Sequence, residues 1–248
     1  MDAGKTPHLL DTVVVLCLPW RMLQSTELRE IKVLDHGYVA LTDTMGDDRT
    51  PAQTARTSFR NRIERTEEED ARLTGYLVKH RHTTPLEFCQ LRFYMKMPIF
   101  VARQLVRHRT ASINEISLRY VQAAEEFYVP APERCQQQSE TNKQGSADAI
   151  VDDPEGVRTL ISLAGREMFD VYRRLIAKGL SKELARTVLP LGTYTEWYWQ
   201  TDLHNFLHML RLRLDPHAQF EIRTYAEAML SLVKPIFPTV IAAWEGSK

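Results

Sequence analysis

The apolar positions of this chain change period several times, and those changes lay out its elements. From Phe88 to Met97 the alternation is strict. Cys89, Leu91, Phe93, Met95 and Met97 share one face, and Gln90, Arg92, Tyr94 and Lys96 share the other. One apolar side at a period of two predicts a half-buried strand. Pro98 then suits the first turn of a helix. Ile99, Ala102, Leu105 and Val106 form its apolar stripe, while Gln104, Arg107 and His108 run along another side at three- and four-residue steps. Next, Ile116, Leu118 and Tyr120 alternate with Ser117 and Arg119, which predicts an extended segment turning Ser117 and Arg119 to one side. Residues 135–155 are rich in Gln, Ser, Asn, Asp and Gly and predict an exposed loop. Beyond them the period becomes helical. A long amphipathic helix covers Val157–Ala177, Ser181 caps another, and Leu203, Phe206, Leu207 and Leu210 stripe a third. Asp215-Pro216 gives a cap and first turn for a last long helix that presents Ile222, Tyr225, Ala226, Met229 and Val233 on one face. The aromatic group Tyr194, Trp197, Tyr198 and Trp199 reads as core or interface. No internal repeat is visible, and the class is α+β with helices outnumbering strands.

Residues 1–31 read as an N-terminal extension, and the compact body as residues 32–248, beginning at Lys32-Val33-Leu34-Asp35-His36-Gly37. The run from Val13 to Leu18 is too short to span a bilayer and lacks a clean cleavage signal, so an added strand or a packed extension is expected there. Lysine and arginine number 32, as do aspartate and glutamate. That balance removes a global field for long nucleic acids, and anion recognition must be local. Cys17, Cys89 and Cys135 are far apart without a C-x-x-C pair, which argues against a disulfide framework and suits a reducing cytoplasm.

The chemistry concentrates between Arg107 and Tyr120. Arg107-His108-Arg109 is followed after seven residues by Ser117, with Glu115 and Arg119 beside it. Guanidinium groups bind phosphate in a bidentate, directional way, so this cluster serves either a ligand anion or a network of ion pairs. Arg213 falls on the apolar stripe of its own helix, three residues after Leu210, and Arg186 lies close to Leu184 and Val188. Each must pair with a buried carboxylate or face a polar pocket. His204 and His208 stand one turn apart, and His80 and His82 precede Glu87, but neither set supplies the further ligands a metal needs. Contacts to an organic cofactor or a solvated face are the alternatives. Nothing local activates Ser117 as a nucleophile, which leaves it a hydrogen-bonding role. Cys135 opens a polar loop and reads as a spectator. No G-x-G-x-x-G or Walker-type loop is present.

The Arg-His-Arg-x7-Ser spacing resembles the signature of the flavin-dependent thymidylate synthases. The resemblance runs from about Val33 to Ala243 through further blocks: Ala55–Phe59, His80–Glu87, Pro98–Gln104, Phe127–Glu133 and Leu212–Gln219. It implies a helix-rich single domain with a small, mostly antiparallel sheet, assembled as a homotetramer whose sites combine residues of several subunits. The implied reaction is methylation of dUMP to dTMP. Methylenetetrahydrofolate gives the carbon, FAD carries electrons and NADPH reduces the flavin; no metal, nucleic acid or membrane is implied. Carried over by motif, the dUMP contacts are Gln104, Leu105, Val106, Arg107, Glu115, Ile116, Ser117, Leu118, Arg119, Arg186 and Arg213, with Arg213 as the catalytic group at the pyrimidine edge. The FAD contacts are Thr84, Arg107, His108, Arg109, Glu115, Asp202, Leu203, His204 and His208, with Ser58, His82 and Glu87 as weaker candidates near flavin or folate. Leu105 stands where many relatives carry tryptophan, and Asp202 and His204 replace an Asn and an Arg. Two other classes remain: a binding module of the same fold without catalysis, and a nucleic-acid binder, against which the zero net charge weighs.

Overall fold

The structure is a computed structural model and describes residues 30–59 and 65–247. The expected segment from Val13 to Leu18 lies outside the described residues. In chain order the elements are β1 (Glu30–Val33), β2 (Gly37–Met45), α1 (Thr50–Arg56), α2 (Glu67–Lys79), α3 (Thr84–Glu87), β3 (Gln90–Pro98), α4 (Ile99–Leu105) and β4 (Ser112–Glu115). There follow β5 (Gln136–Gln138), β6 (Ser146–Ile150), α5 (Pro154–Ala177), α6 (Lys182–Ala185), β7 (Tyr194–Asp202), α7 (Leu203–Arg213), α8 (Phe220–Val233) and α9 (Pro238–Glu245). Five strands pair in the order β1-β2-β3-β7-β4, antiparallel throughout, and β5 and β6 form a separate hairpin. This is the expected α+β domain with a small antiparallel sheet. No described helix is long and apolar enough to cross a membrane.

The strand read from Phe88–Met97 is β3, near the middle of the sheet. Its inward residues Leu91, Phe93, Met95 and Met97 are wholly buried beneath α7, α8 and α9, and Trp197 and Trp199 of β7 continue the same face. The opposite face carries a ladder of tyrosines. Tyr38 and Tyr94 both donate to the Glu196 carboxylate, and the Tyr94 and Tyr198 rings lie 4.7 Å apart. Gly37 sits where a Cβ would stand 1.9 Å from the Tyr225 hydroxyl. Its missing side chain lets that hydroxyl reach the Lys96 carbonyl at 2.7 Å and lock α8 onto the sheet.

Five expectations change. Residues 116–120 do not extend β4: Tyr120 N–H donates to Ser117 O at 2.9 Å, so the alternation covers a turn and Ser117 and Arg119 do not share a strand face. The polar stretch 135–155 contains the β5–β6 hairpin rather than only loop. Pro98 closes β3 and the helix begins at Ile99. Asp215 caps a tight turn, accepting from His217 N–H at 2.8 Å, and the helix after it starts at Phe220. The five apolar residues expected on that helix are all buried. Ser181 precedes α6 without a side-chain cap bond.

Candidate active site

Two helix ends and one turn build the site. The first is the end of α4. Its buried Leu105 anchors the helix in the core, and the chain then unwinds through Val106–Ala111 into the edge strand β4. The second is the C-terminal end of α7, where Leu203, Phe206, Leu207 and Leu210 face the core as expected and carry Arg213 to its position. Arg213 donates from Nε to His108 Nε2 at 3.0 Å and from Nη2 to the Gln104 carbonyl at 3.0 Å. No described carboxylate pairs with it, and desolvation by burial lowers its pKa. Among the described residues, then, Arg213 is not tied to a buried carboxylate. Its partners are neutral acceptors, so its charge stays available.

His108 is the reciprocal half of this contact. Because Nε2 accepts, the ring is neutral and any proton sits on Nδ1. Burial, then the charges of Arg213 and His208, hold its pKa down at about 4. His208 stands edge-on to it, with ring centroids 6.2 Å apart. Arg107 and Arg109 are exposed and have no carboxylate partner among the described residues.

Arg119 and Arg186 meet elsewhere, around Glu183 of α6. The Glu183 carboxylate takes Arg119 at 3.0 Å and its backbone carbonyl takes Arg186 Nε at 3.3 Å. Ser117 Oγ accepts from the Arg119 N–H at 3.4 Å, and no base approaches it among the described residues. Glu115 accepts from the Thr195 hydroxyl at 2.6 Å. Val106 and Ile116 are exposed and Leu118 is half-buried. No described hydrogen bond or ion pair joins the Arg119–Arg186 pair to Arg213, so one chain presents the predicted substrate residues in separate groups.

A cleft of ≈ 190 Å³ lies between the end of α2 and α7. Arg81, Arg211, His204 and His208 supply its polar wall, and Leu86, Leu207 and Trp244 its apolar side. Neither Arg81 nor Arg211 has an ion-pair partner among the described residues. Arg81 holds a positive φ of 56°, in the left-handed region that a non-glycine residue enters at a cost. That conformation ends α2: the His82 N–H bonds back to Leu77 O at 2.9 Å. Two free guanidinium groups and two imidazoles beside an apolar wall fit an anionic group joined to a planar ring. The volume is below the ~300–1,000 Å³ usual for a whole drug-sized ligand, so the cleft can take only part of a large cofactor. Among the described residues no group of three His, Cys, Asp or Glu is placed to hold a metal ion.

The remaining predicted residues have varied fates. Thr84 opens α3 and is exposed, as are Glu87 and Ser58. His82 stands edge-on to Tyr76, with centroids 5.7 Å apart. Leu105 and Leu203 have wholly buried side chains, so only their backbone can reach a ligand. Asp202 caps α7, accepting from Asn205 N at 2.9 Å and Nδ2 at 2.7 Å. Arg81 and Arg211 line the cleft although neither stands out as a candidate in the sequence. A signal exists for Arg211, which follows His204 and His208 at i+7 and i+3 on one helix face.

A family profile described as Thymidylate synthase complementing protein matches residues 40–239. The flavin-dependent thymidylate synthase of Ehrlichia ruminantium (strain Gardel) is 47% identical over 223 residues, covering 90% of this chain and 75% of that protein. The flavin-dependent thymidylate synthase of Thermus thermophilus is 50% identical over 215 residues, covering 87% of this chain and 78% of its own length. Among solved structures, the UMP/dUMP methylase PolB of Streptomyces cacaoi bound with 5-Br dUMP is similar at a TM-score of 0.79 and 30% identity. That match covers 87% of this chain and 97% of the methylase.

Proposed function

The chain belongs to the flavin-dependent thymidylate synthase family, and we propose that it converts dUMP to dTMP with methylenetetrahydrofolate as carbon donor and NADPH as reductant of FAD. The observation that carries this reading is Arg213: a half-buried guanidinium held by a neutral imidazole and a carbonyl, with its charge unspent. To meet a one-carbon electrophile, C5 of uracil must become electron-rich. Arg213 at the pyrimidine edge stabilises the negative charge that then develops on the ring carbonyl and N3. Arg107, Arg119 and Arg186 hold the phosphate as directional cations, with Gln104 and the segment Glu115–Arg119 completing the substrate contacts. When bound there, a flavin would supply the hydride that completes the methyl group.

The cleft lined by Arg81, Arg211, His204 and His208 would hold part of the FAD, and Arg107–Arg109, Glu115 and Thr84 would take another part. No enzyme thiolate is needed. Cys89 and Cys135 are buried, and burial, then Asp47 and Asp48, push the Cys89 thiol up to about 12. The separate placement of Arg213 and the Arg119–Arg186 pair supports a homotetramer in which residues 32–248 are the catalytic domain and neighbouring copies complete each site. The cytoplasm is its place of work.

The test is an anaerobic assay with FAD, NADPH, dUMP and methylenetetrahydrofolate, following flavin absorbance and dTMP together. Flavin bleaching with folate-dependent dTMP is the expected result. Bound flavin without dTMP, where a related enzyme turns over, would make the chain a silent binding module instead.

A further inference from the structure

A chain of polar side chains runs from the interior of the protein to the substrate platform, and it has a direction. It starts at Glu221, at the beginning of α8, which is 4% exposed. Three donors converge on its carboxylate: Gln219 Nε2 at 2.8 Å on one oxygen, and the Tyr128 hydroxyl at 3.1 Å and Arg134 Nη2 at 3.4 Å on the other. Arg134 is itself fixed over the Phe220 ring, 4.4 Å from its centroid. A carboxylate so surrounded only accepts. Gln219 must therefore turn its amide nitrogen toward Glu221, because the reverse orientation would set two acceptors against each other. Its carbonyl oxygen then faces the platform, where it receives Gln104 Nε2. The polarity of one buried acid is thus passed through one amide to the next. The backbone carbonyl of Gln104 is also the acceptor that holds Arg213.

We propose that Gln219 and Glu221 are positioning residues that fix the amide of Gln104 in a single orientation for dUMP. The proposal rests on Gln104 being a substrate contact, as inferred above. An unrestrained glutamine amide presents either end to a ligand, and binding must then select one. Glu221 makes that selection before the substrate arrives, without touching it. Because Gln104 is a binding contact rather than the group that meets developing charge, the cost of losing the restraint falls on substrate affinity.

The experiment measures dUMP KM, kcat and thermal midpoint for Q219L and E221Q, each alone and combined with Q104A. Gln219 is exposed, so Q219L leaves the core intact. In E221Q the new amide can donate as well as accept, which removes the direction while keeping the size. Each variant should raise the KM for dUMP roughly three- to tenfold, with kcat within about twofold of the parent. In the Q104A background neither should raise it further, since the residue they act through is gone. A wild-type KM in Q219L, or an effect undiminished in Q104A, would overturn the proposal. If E221Q does not fold, Q219L alone decides. Wild-type protein that makes no dTMP from dUMP would instead bring down the functional reading and this proposal with it, an outcome separable from an active wild type with an indifferent Q219L.

Discussion

His108 offers a pH-dependent property that can be isolated from the rest of the protein. Its folded pKa is held at about 4 against an ordinary 6.5, first by burial and then by Arg213 and His208. A proton therefore binds the unfolded chain more readily than the folded one. The associated stability is fully present above about 6.5 and is lost as pH falls toward 4. Between pH 7 and pH 5 the full displacement gives about 2 kcal/mol, and about 1 kcal/mol once water at the exposed part of the ring is allowed for. For a domain of this size that is a fall of about 2–4 °C in thermal midpoint. H108Q is the control, because a glutamine oxygen accepts from Arg213 but does not titrate. The assay is the midpoint by circular dichroism from pH 7 to pH 5, and the quantity read is the wild-type loss minus the H108Q loss. Three perturbed carboxylates, Glu68, Asp70 and Asp215, are all shifted downward and stay out of this window. Asp215 is held below its ordinary 3.8 by the N–H and then the imidazole of His217. For Asp70, burial pushes upward but the guanidinium groups of Arg56 and Arg49 outweigh it. Equal losses in wild type and H108Q would show that the ring is not kept neutral by the fold, and the account of the Arg213 contact would go with it.

Arg213→Ala should cut dTMP formation by about 10²–10³-fold, the usual cost of removing a donor aimed at developing charge, while flavin stays bound; near-normal turnover would remove Arg213 from the chemistry. R81A and R211A should each weaken FAD binding by roughly tenfold or more, since each removes a charge-assisted contact; reconstitution of apoprotein with FAD measures it, and unchanged affinity in both would empty the cleft of its assigned role. Asp202→Ala should lower stability by about 1 kcal/mol through the lost helix cap, and D202N, which can still accept, should restore the midpoint; loss of flavin without loss of stability would mean the carboxylate serves a ligand rather than α7. Gly37→Ala should cost about 3 kcal/mol or more, because its Cβ would meet the Tyr225 hydroxyl at 1.9 Å and two carbonyl oxygens at 2.6 and 2.8 Å; a wild-type unfolding midpoint would contradict it.

What can be read from residues alone follows the strength of local patterning. β3 is legible because polar and apolar residues alternate across it without interruption. β7, its neighbour, does not announce itself as a strand: aromatic side chains on both faces, Trp197 and Trp199 inward and Tyr198 outward, erase the alternation. β2 is hidden by its polar run Thr42-Asp43-Thr44 and by a register shift between Leu41 and Asp43. Asp215-Pro216 imitates a helix start because the aspartate that caps a helix also closes a two-residue turn with its own backbone. In the site, residue types and one-turn spacings point to Arg213, His108 and His208. Arg81 escapes because its place depends on a left-handed backbone that no side-chain pattern announces. The Gln104–Gln219–Glu221 chain escapes because its first link spans 115 residues.

The choice of partners for Arg213 explains how a formally neutral protein keeps a cation half inside its fold without a described carboxylate beside it. A carboxylate beside the guanidinium would have met the burial cost more directly, through Coulomb attraction. It would also have satisfied the charge before any substrate arrived, and the substrate would then have had to displace it. A carbonyl and a deprotonated imidazole nitrogen satisfy the N–H donors they meet without cancelling the charge. The energetic shortfall is visible in both groups: Arg213 and His108 each have a pKa pushed down. Two bases in contact, each with its charged form disfavoured by burial, are arranged to gain from an incoming negative charge. Under the proposed reaction, an anionic pyrimidine edge would supply that charge only as the reaction proceeds, which would favour the transition state over the bound substrate.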